Sequence, residues 1–150
     1  MEICTVGGYD GVGKNMTAIK VDDDVFIFDA GVSIPALIDL QNDNIKVYSE
    51  KHLRRVGAIP NDLVLDKLGW RNKVRAIIIG HAHLDHVGAV PWIAYRYPNA
   101  PVIGSPFTMA VLDTILKDER KNMKNTQIFL TENLYCRRNE ENKKNQDRKS

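Results

Sequence analysis

Ala76-Ile77-Ile78-Ile79-Gly80-His81-Ala82-His83-Leu84-Asp85-His86-Val87-Gly88-Ala89-Val90 is an apolar run that stops abruptly in three histidines and a carboxylate. Residues 76–79 are short, uninterrupted and mostly β-branched, the composition of a strand buried on both faces, and Gly80 ends the run. The histidine-rich segment is therefore expected at the C-terminal edge of a strand. With the backbone extended through residues 81–83, a spacing of two puts the imidazoles of His81 and His83 on one side, and Asp85 and His86 follow on the turn into a helix. Four donors then converge on one small volume. Three of the chain's four histidines lie within residues 81–86. Imidazole and carboxylate together suit zinc or a similar divalent ion held at about 2.0–2.2 Å, and a single negative charge among the four donors leaves such an ion Lewis-acidic. Hydrolysis is the natural use of that chemistry.

Outward from this segment, residues 87–97 read as one helix with Pro91 near its start, ended by Tyr97-Pro98-Asn99. Residues 101–104 read as a strand. Ser105-Pro106 then supplies a helix cap with proline in the first turn, followed by an apolar stripe of Phe107, Met109, Ala110, Leu112, Ile115 and Leu116. Residues 126–130 form a last expected strand. Upstream, residues 2–6, 16–21 and 25–28 read as strands, the last two joined by the turn Asp22-Asp23-Asp24, and residues 63–69 as a capped short helix ending at Gly69. The resulting order of elements is that of an α/β protein.

Between the first two strands lies Gly7-Gly8-Tyr9-Asp10-Gly11-Val12-Gly13-Lys14-Asn15. Gly8 to Lys14 satisfies G-x-x-x-x-G-K, yet Asn15 stands where a phosphate-binding loop carries a hydroxyl, and strands follow where such a loop opens a helix. The expectation is a glycine turn between strands.

With 43% hydrophobic and 27% charged residues in 150, the chain has an ordinary globular composition for one domain. No apolar run approaches the roughly 18 residues of a spanning helix, and Met1-Glu2-Ile3-Cys4 lacks a basic leader, so a cytoplasmic location and no membrane partner are expected. Cys4 and Cys136 match no C-x-x-C pattern; Cys4 reads as a small core residue. Residues 131–150 carry six Lys or Arg against four Asp or Glu, and residues 137–150 contain no large apolar side chain, which predicts a disordered charged tail after a domain of residues 1–130. The remaining body is charge-balanced and does not announce a nucleic-acid binder.

The segment His81-Ala82-His83-Leu84-Asp85-His86 resembles the H-x-H-x-D-H signature of the metallo-β-lactamase superfamily. The glycine loop running into Lys14-Asn15-Met16, the hairpin ending in Phe28-Asp29-Ala30-Gly31, and Gly57-Ala58-Ile59-Pro60-Asn61 are similar to the start of ribonuclease J proteins of the β-CASP group, the archaeal type especially. That resemblance implies the N-terminal half of an αββα sandwich and a hydrolase of RNA phosphodiesters using two divalent ions, zinc or manganese. By the same resemblance His81 and His83 hold one metal, Asp85 and His86 the other, Asp85 also orients the attacking water as the catalytic residue, and Asp29 supports the site from behind. Read from the residues alone, Asp29 is a turn residue at a strand end. Relatives use a further histidine, a bridging aspartate and an inserted RNA-gripping domain, and no histidine follows His86 here. The expectation is a shortened relative that is inactive as an isolated chain; the alternative is a non-catalytic metal-binding remnant or interaction module that pairs, with a second copy for instance, through an unfinished sheet edge.

Overall fold

The computed structural model describes residues 1–41, 48–123 and 126–128. A six-stranded sheet in sequential order carries the fold: β1 (Glu2–Gly7), β2 (Met16–Val21), β3 (Asp24–Phe28), β4 (Val74–Ile78), β5 (Val102–Gly104) and β6 (Thr126–Ile128). β1–β2 and β2–β3 are antiparallel, as hairpin connections demand, whereas β3–β4, β4–β5 and β5–β6 are parallel, each reached through helical crossovers. The helices are α1 (Ile34–Gln41), α2 (Glu50–Arg55), α3 (Val64–Lys67), α4 (Leu84–Val87), α5 (Val90–Ile93) and α6 (Pro106–Asp118). The α/β reading holds, and the charged tail expected at 131–150 lies outside the described residues.

One face of the sheet builds the core. Ala18, Ile27, Ile77 and Val102 are mutual register partners from β2 through β5, and all four are fully buried. The same cluster takes in Leu40, Leu53, Ile59 and Leu65 from α1–α3 and their loops, so these helices pack on the same core as the sheet. Across the sheet, the other face is also apolar. Ile3 pairs with Ile19 and Ile19 with Phe26, and Phe28 pairs with Ile78, yet Ile3 is 58% and Phe28 39% exposed. A sheet written in apolar residues on both faces is built to be covered on both.

Where a single helix is expected over residues 87–97, α4 ends at Val87 and is followed by the separate α5 and a 3-10 turn at Ala94–Arg96. The reason is backbone competition: the Ala89 N–H leaves the helical ladder to donate to the Ala30 carbonyl at 2.8 Å, and Pro91 has no N–H to restore it. α3 also differs from its reading, because its N-cap is Leu63 without a side-chain hydrogen bond, while Asp62 is drawn into the interior. Gly69, at φ +69°, ends the segment as expected. Cys4, read as a core residue, is only partly buried, on the edge strand.

Candidate metal centre

Three stretches far apart in sequence are knitted together by backbone hydrogen bonds at the C-terminal edge of β3 and β4. Asn15 N–H donates to the Asp85 carbonyl (3.1 Å), Ala30 N–H to that of His86 (2.7 Å), Val32 N–H to that of Leu84 (3.0 Å), and Gly31 N–H to that of Asn15 (3.1 Å). Gly31 is required there, since a Cβ on it would lie 1.6 Å from the Asp85 carbonyl oxygen. The loop at 13–15, the β3 exit at 29–32 and α4 therefore form one unit.

The strand at 74–78 delivers its histidines where the alternation places them. His83, with extended φ and ψ, is the N-cap of α4, and Asp85 and His86 fall inside α4 rather than on a turn before it. The rings of His81 and His83 lie 4.5 Å apart edge to face, and those of His81 and His86 are 3.9 Å apart. Asp85 Oδ2 stands 3.4 Å from His86 Nε2. All four sequence-predicted residues are thus neighbours, with His81 and His83 exposed and Asp85 and His86 half-buried.

Asp29 backs this cluster. At φ +63° it turns the chain out of β3, a conformation that aspartate tolerates better than most residues. Its Oδ1 accepts from the Gly80 N–H at 2.8 Å, and its Oδ2 lies 2.7 Å from His86 Nδ1. A carboxylate accepts only, so Nδ1 carries a proton toward Asp29, and Nε2 is the ring nitrogen left on the Asp85 side.

The family model described as the metallo-beta-lactamase superfamily matches residues 9–147. The chain belongs to that superfamily. Ribonuclease J of Methanocaldococcus jannaschii is 39% identical over 131 residues, 87% of this chain and 29% of that protein. Ribonuclease J of Pyrococcus abyssi is 40% identical over 120 residues, 79% of this chain and 26% of that protein. Ribonuclease J of Mycoplasma genitalium is 35% identical over 127 residues, 85% of this chain and 20% of that protein. The resemblance read from the motifs is therefore borne out, and the chain spans less than a third of the length of these relatives.

Metallo-β-lactamase chemistry implies divalent ions. Two ligands bound at about 2.1 Å to a tetrahedral ion sit roughly 3.4 Å apart, which is the spacing of Asp85 Oδ2 and His86 Nε2. In donor type and in this spacing the residues fit such an ion. The complement is not complete: among the described residues, no three His, Cys, Asp or Glu side chains form a group that could hold an ion as they stand.

One contact escaped the sequence. Asn15 Nδ2 lies 3.0 Å from Asp85 Oδ2 and 3.1 Å from His86 Nε2, placing the end of the glycine loop inside the cluster. The loop does turn the chain between strands, with positive φ at Gly8, Gly13 and Lys14. Spacing carried no sign of its second task, because the partners are 70 and 71 residues away.

Proposed function

We propose that these residues are the N-terminal part of a ribonuclease J-like, metal-dependent hydrolase of RNA phosphodiesters, with His81 and His83 for one divalent ion, zinc or manganese, and Asp85 and His86 for a second. The observation that carries the reading is the His81, His83, Asp85, His86 cluster at the end of β4, backed by Asp29, in a chain 39% identical to a ribonuclease J. When bound, such ions supply Lewis-acid polarisation of the phosphodiester and of the attacking water. The chain's own part is positional: Asp29 fixes the tautomer of His86, and the α4 backbone, tied to residues 15 and 30–32, holds Asp85 and His86 side by side.

The 150 residues alone are expected to leave RNA intact. Two histidines serve the first ion where three protein ligands are usual, and the charge-balanced body of residues 1–130 gives little grip on phosphates. Replacing the matching 131-residue stretch of the Methanocaldococcus jannaschii ribonuclease J with this segment should give a chimera that cleaves 5′-monophosphorylated RNA with zinc or manganese and loses that activity on Asp85→Ala. An inactive but folded chimera counts against the reading, and metal-dependent cleavage by the isolated chain, abolished by Asp85→Ala, overturns its predicted inactivity.

A second reading, a non-catalytic metal-binding or interaction module, is favoured by the half-exposed apolar face at Ile3 and Phe28. Concentration-dependent association that Phe28→Asp abolishes, together with an inactive chimera, would select it.

A further inference from the structure

We propose that Asn15 is a placeholder in this site: its side-chain amide occupies the position between Asp85 and His86 that a divalent ion would take, and must leave when the ion arrives. The inference rests on the metal reading above and adds a residue that is not itself a metal ligand in it.

The hydrogen bonds run in one direction only. His86 Nδ1–H donates to Asp29 Oδ2 at 2.7 Å, which in the neutral ring, the form that can bind an ion, leaves Nε2 an acceptor. Asp85 Oδ2 accepts as well. The group facing both must therefore be a donor, which puts the Asn15 NH2, not its carbonyl, at 3.0 Å from Asp85 Oδ2 and 3.1 Å from His86 Nε2. An NH2 has two hydrogens, and both are spent here.

An imidazole nitrogen has a single lone pair. While His86 Nε2 accepts from Asn15 it cannot bind an ion, and the same amide blocks one oxygen of Asp85. Two partial positive charges thus stand where one dication would stand, holding the pair 3.4 Å apart and facing inward. That arrangement explains how Asp85 and His86 keep ligand spacing although no complete group is assembled among the described residues.

The loop is shaped to seat the amide there. Asn15's backbone is fixed by its N–H to the Asp85 carbonyl and its own carbonyl to the Gly31 N–H. Its Oδ1 rests against Gly8, where an added Cβ would lie 2.4 Å away. With φ at +87° and no side chain, Gly8 leaves the room into which the amide is seated. The glycine loop is thereby explained without a phosphate: it carries Asn15 to the site.

The test uses the whole chain, as wild type, Asn15→Ala and Asn15→Leu, the last keeping bulk while removing both donors. In the metal-free wild type, the Asn15 NH2 protons should exchange slowly with water, and the nitrogen-15 resonance of His86 Nε2 should move in both variants. Fast exchange, or an unmoved His86 resonance, overturns the proposal whether or not zinc binds. Titration with zinc should release the Asn15 NH2 protons to fast exchange, and calorimetry should give zinc affinity about tenfold tighter in both variants, the order expected for losing one or two competing hydrogen bonds. Equal or weaker affinity in both folded variants overturns the placeholder role and makes Asn15 a simple support. Zinc binding by none of the three overturns the metal reading and the placeholder with it, while the metal-free exchange data still report whether Asn15 holds the pair.

Discussion

Two aspartate-centred clusters sit at opposite ends of the exposure scale. Asp62 is fully buried: Arg54 Nε donates to its Oδ1 and the Tyr97 hydroxyl to its Oδ2, each at 2.8 Å, and Arg96 Nε lies 3.2 Å from Oδ2. The outer sides of the two guanidiniums meet Glu50 and Asp66. Burial, with Asp62 beside it, pushes the Tyr97 phenol well above its ordinary range, which keeps it a donor. Asp29, Asp85 and His86 instead keep 21–31% of their side chains exposed, and two rings, His81 and His83, face outward. The first cluster closes on itself and ties α2, α3 and the segment at 94–97 together. The second leaves Asp85 and His86 facing a shared space that the neutral Asn15 amide enters. Closed charge networks hold a fold, and open ones await a ligand.

The contrast is broken most strongly by Asp62→Ala, which strands Arg54 and Arg96 in the interior and should cost about 3–5 kcal/mol, read as a lower urea midpoint at unchanged slope. A loss under 1 kcal/mol would mean that the buried cluster is no more structural than a surface pair. Next in size is Asp29→Asn, which keeps the positive-φ residue type but frees the tautomer of His86; zinc affinity should fall about 10- to 100-fold with little change in the urea midpoint. Smallest is His83→Ala: stability should stay within about 0.5 kcal/mol, while zinc uptake in equilibrium dialysis falls below that of the wild type. Equal uptake by the two removes His83 from the ligand set.

How much of this was legible in one dimension varies with the range of the interaction. The strand read at 76–79 and found at 74–78, the hairpin, and helix α6 with its Ser105 cap are local matters of residue type and period, and their readings needed no partner. The clustering of the histidine-rich segment was legible for the same reason: residues 81–86 carry their own donors at a spacing that a strand edge and a first helical turn bring together. The unbroken helix at 87–97 failed because its breaker, the Ala30 carbonyl, is contributed by another segment. The helix at 63–69 lacks its expected side-chain cap, and Asp62 turns inward instead, because local sequence cannot reveal an interior lined with Arg54 and Arg96.

Sequence by itself determined the superfamily, the α/β order of elements and the identity of the four clustered donors, because each depends on residues within a few positions of one another. Tertiary structure decided that the support the resemblance implied for Asp29 goes to His86, and it alone decided that Gly31 must lack a side chain under α4 and that Asn15 enters the site. Those contacts join residues 15, 29–31 and 85–86 at the end of the parallel β3–β4 pair. Nothing in the spacing of a chain records which distant segment the sheet will lay beside it.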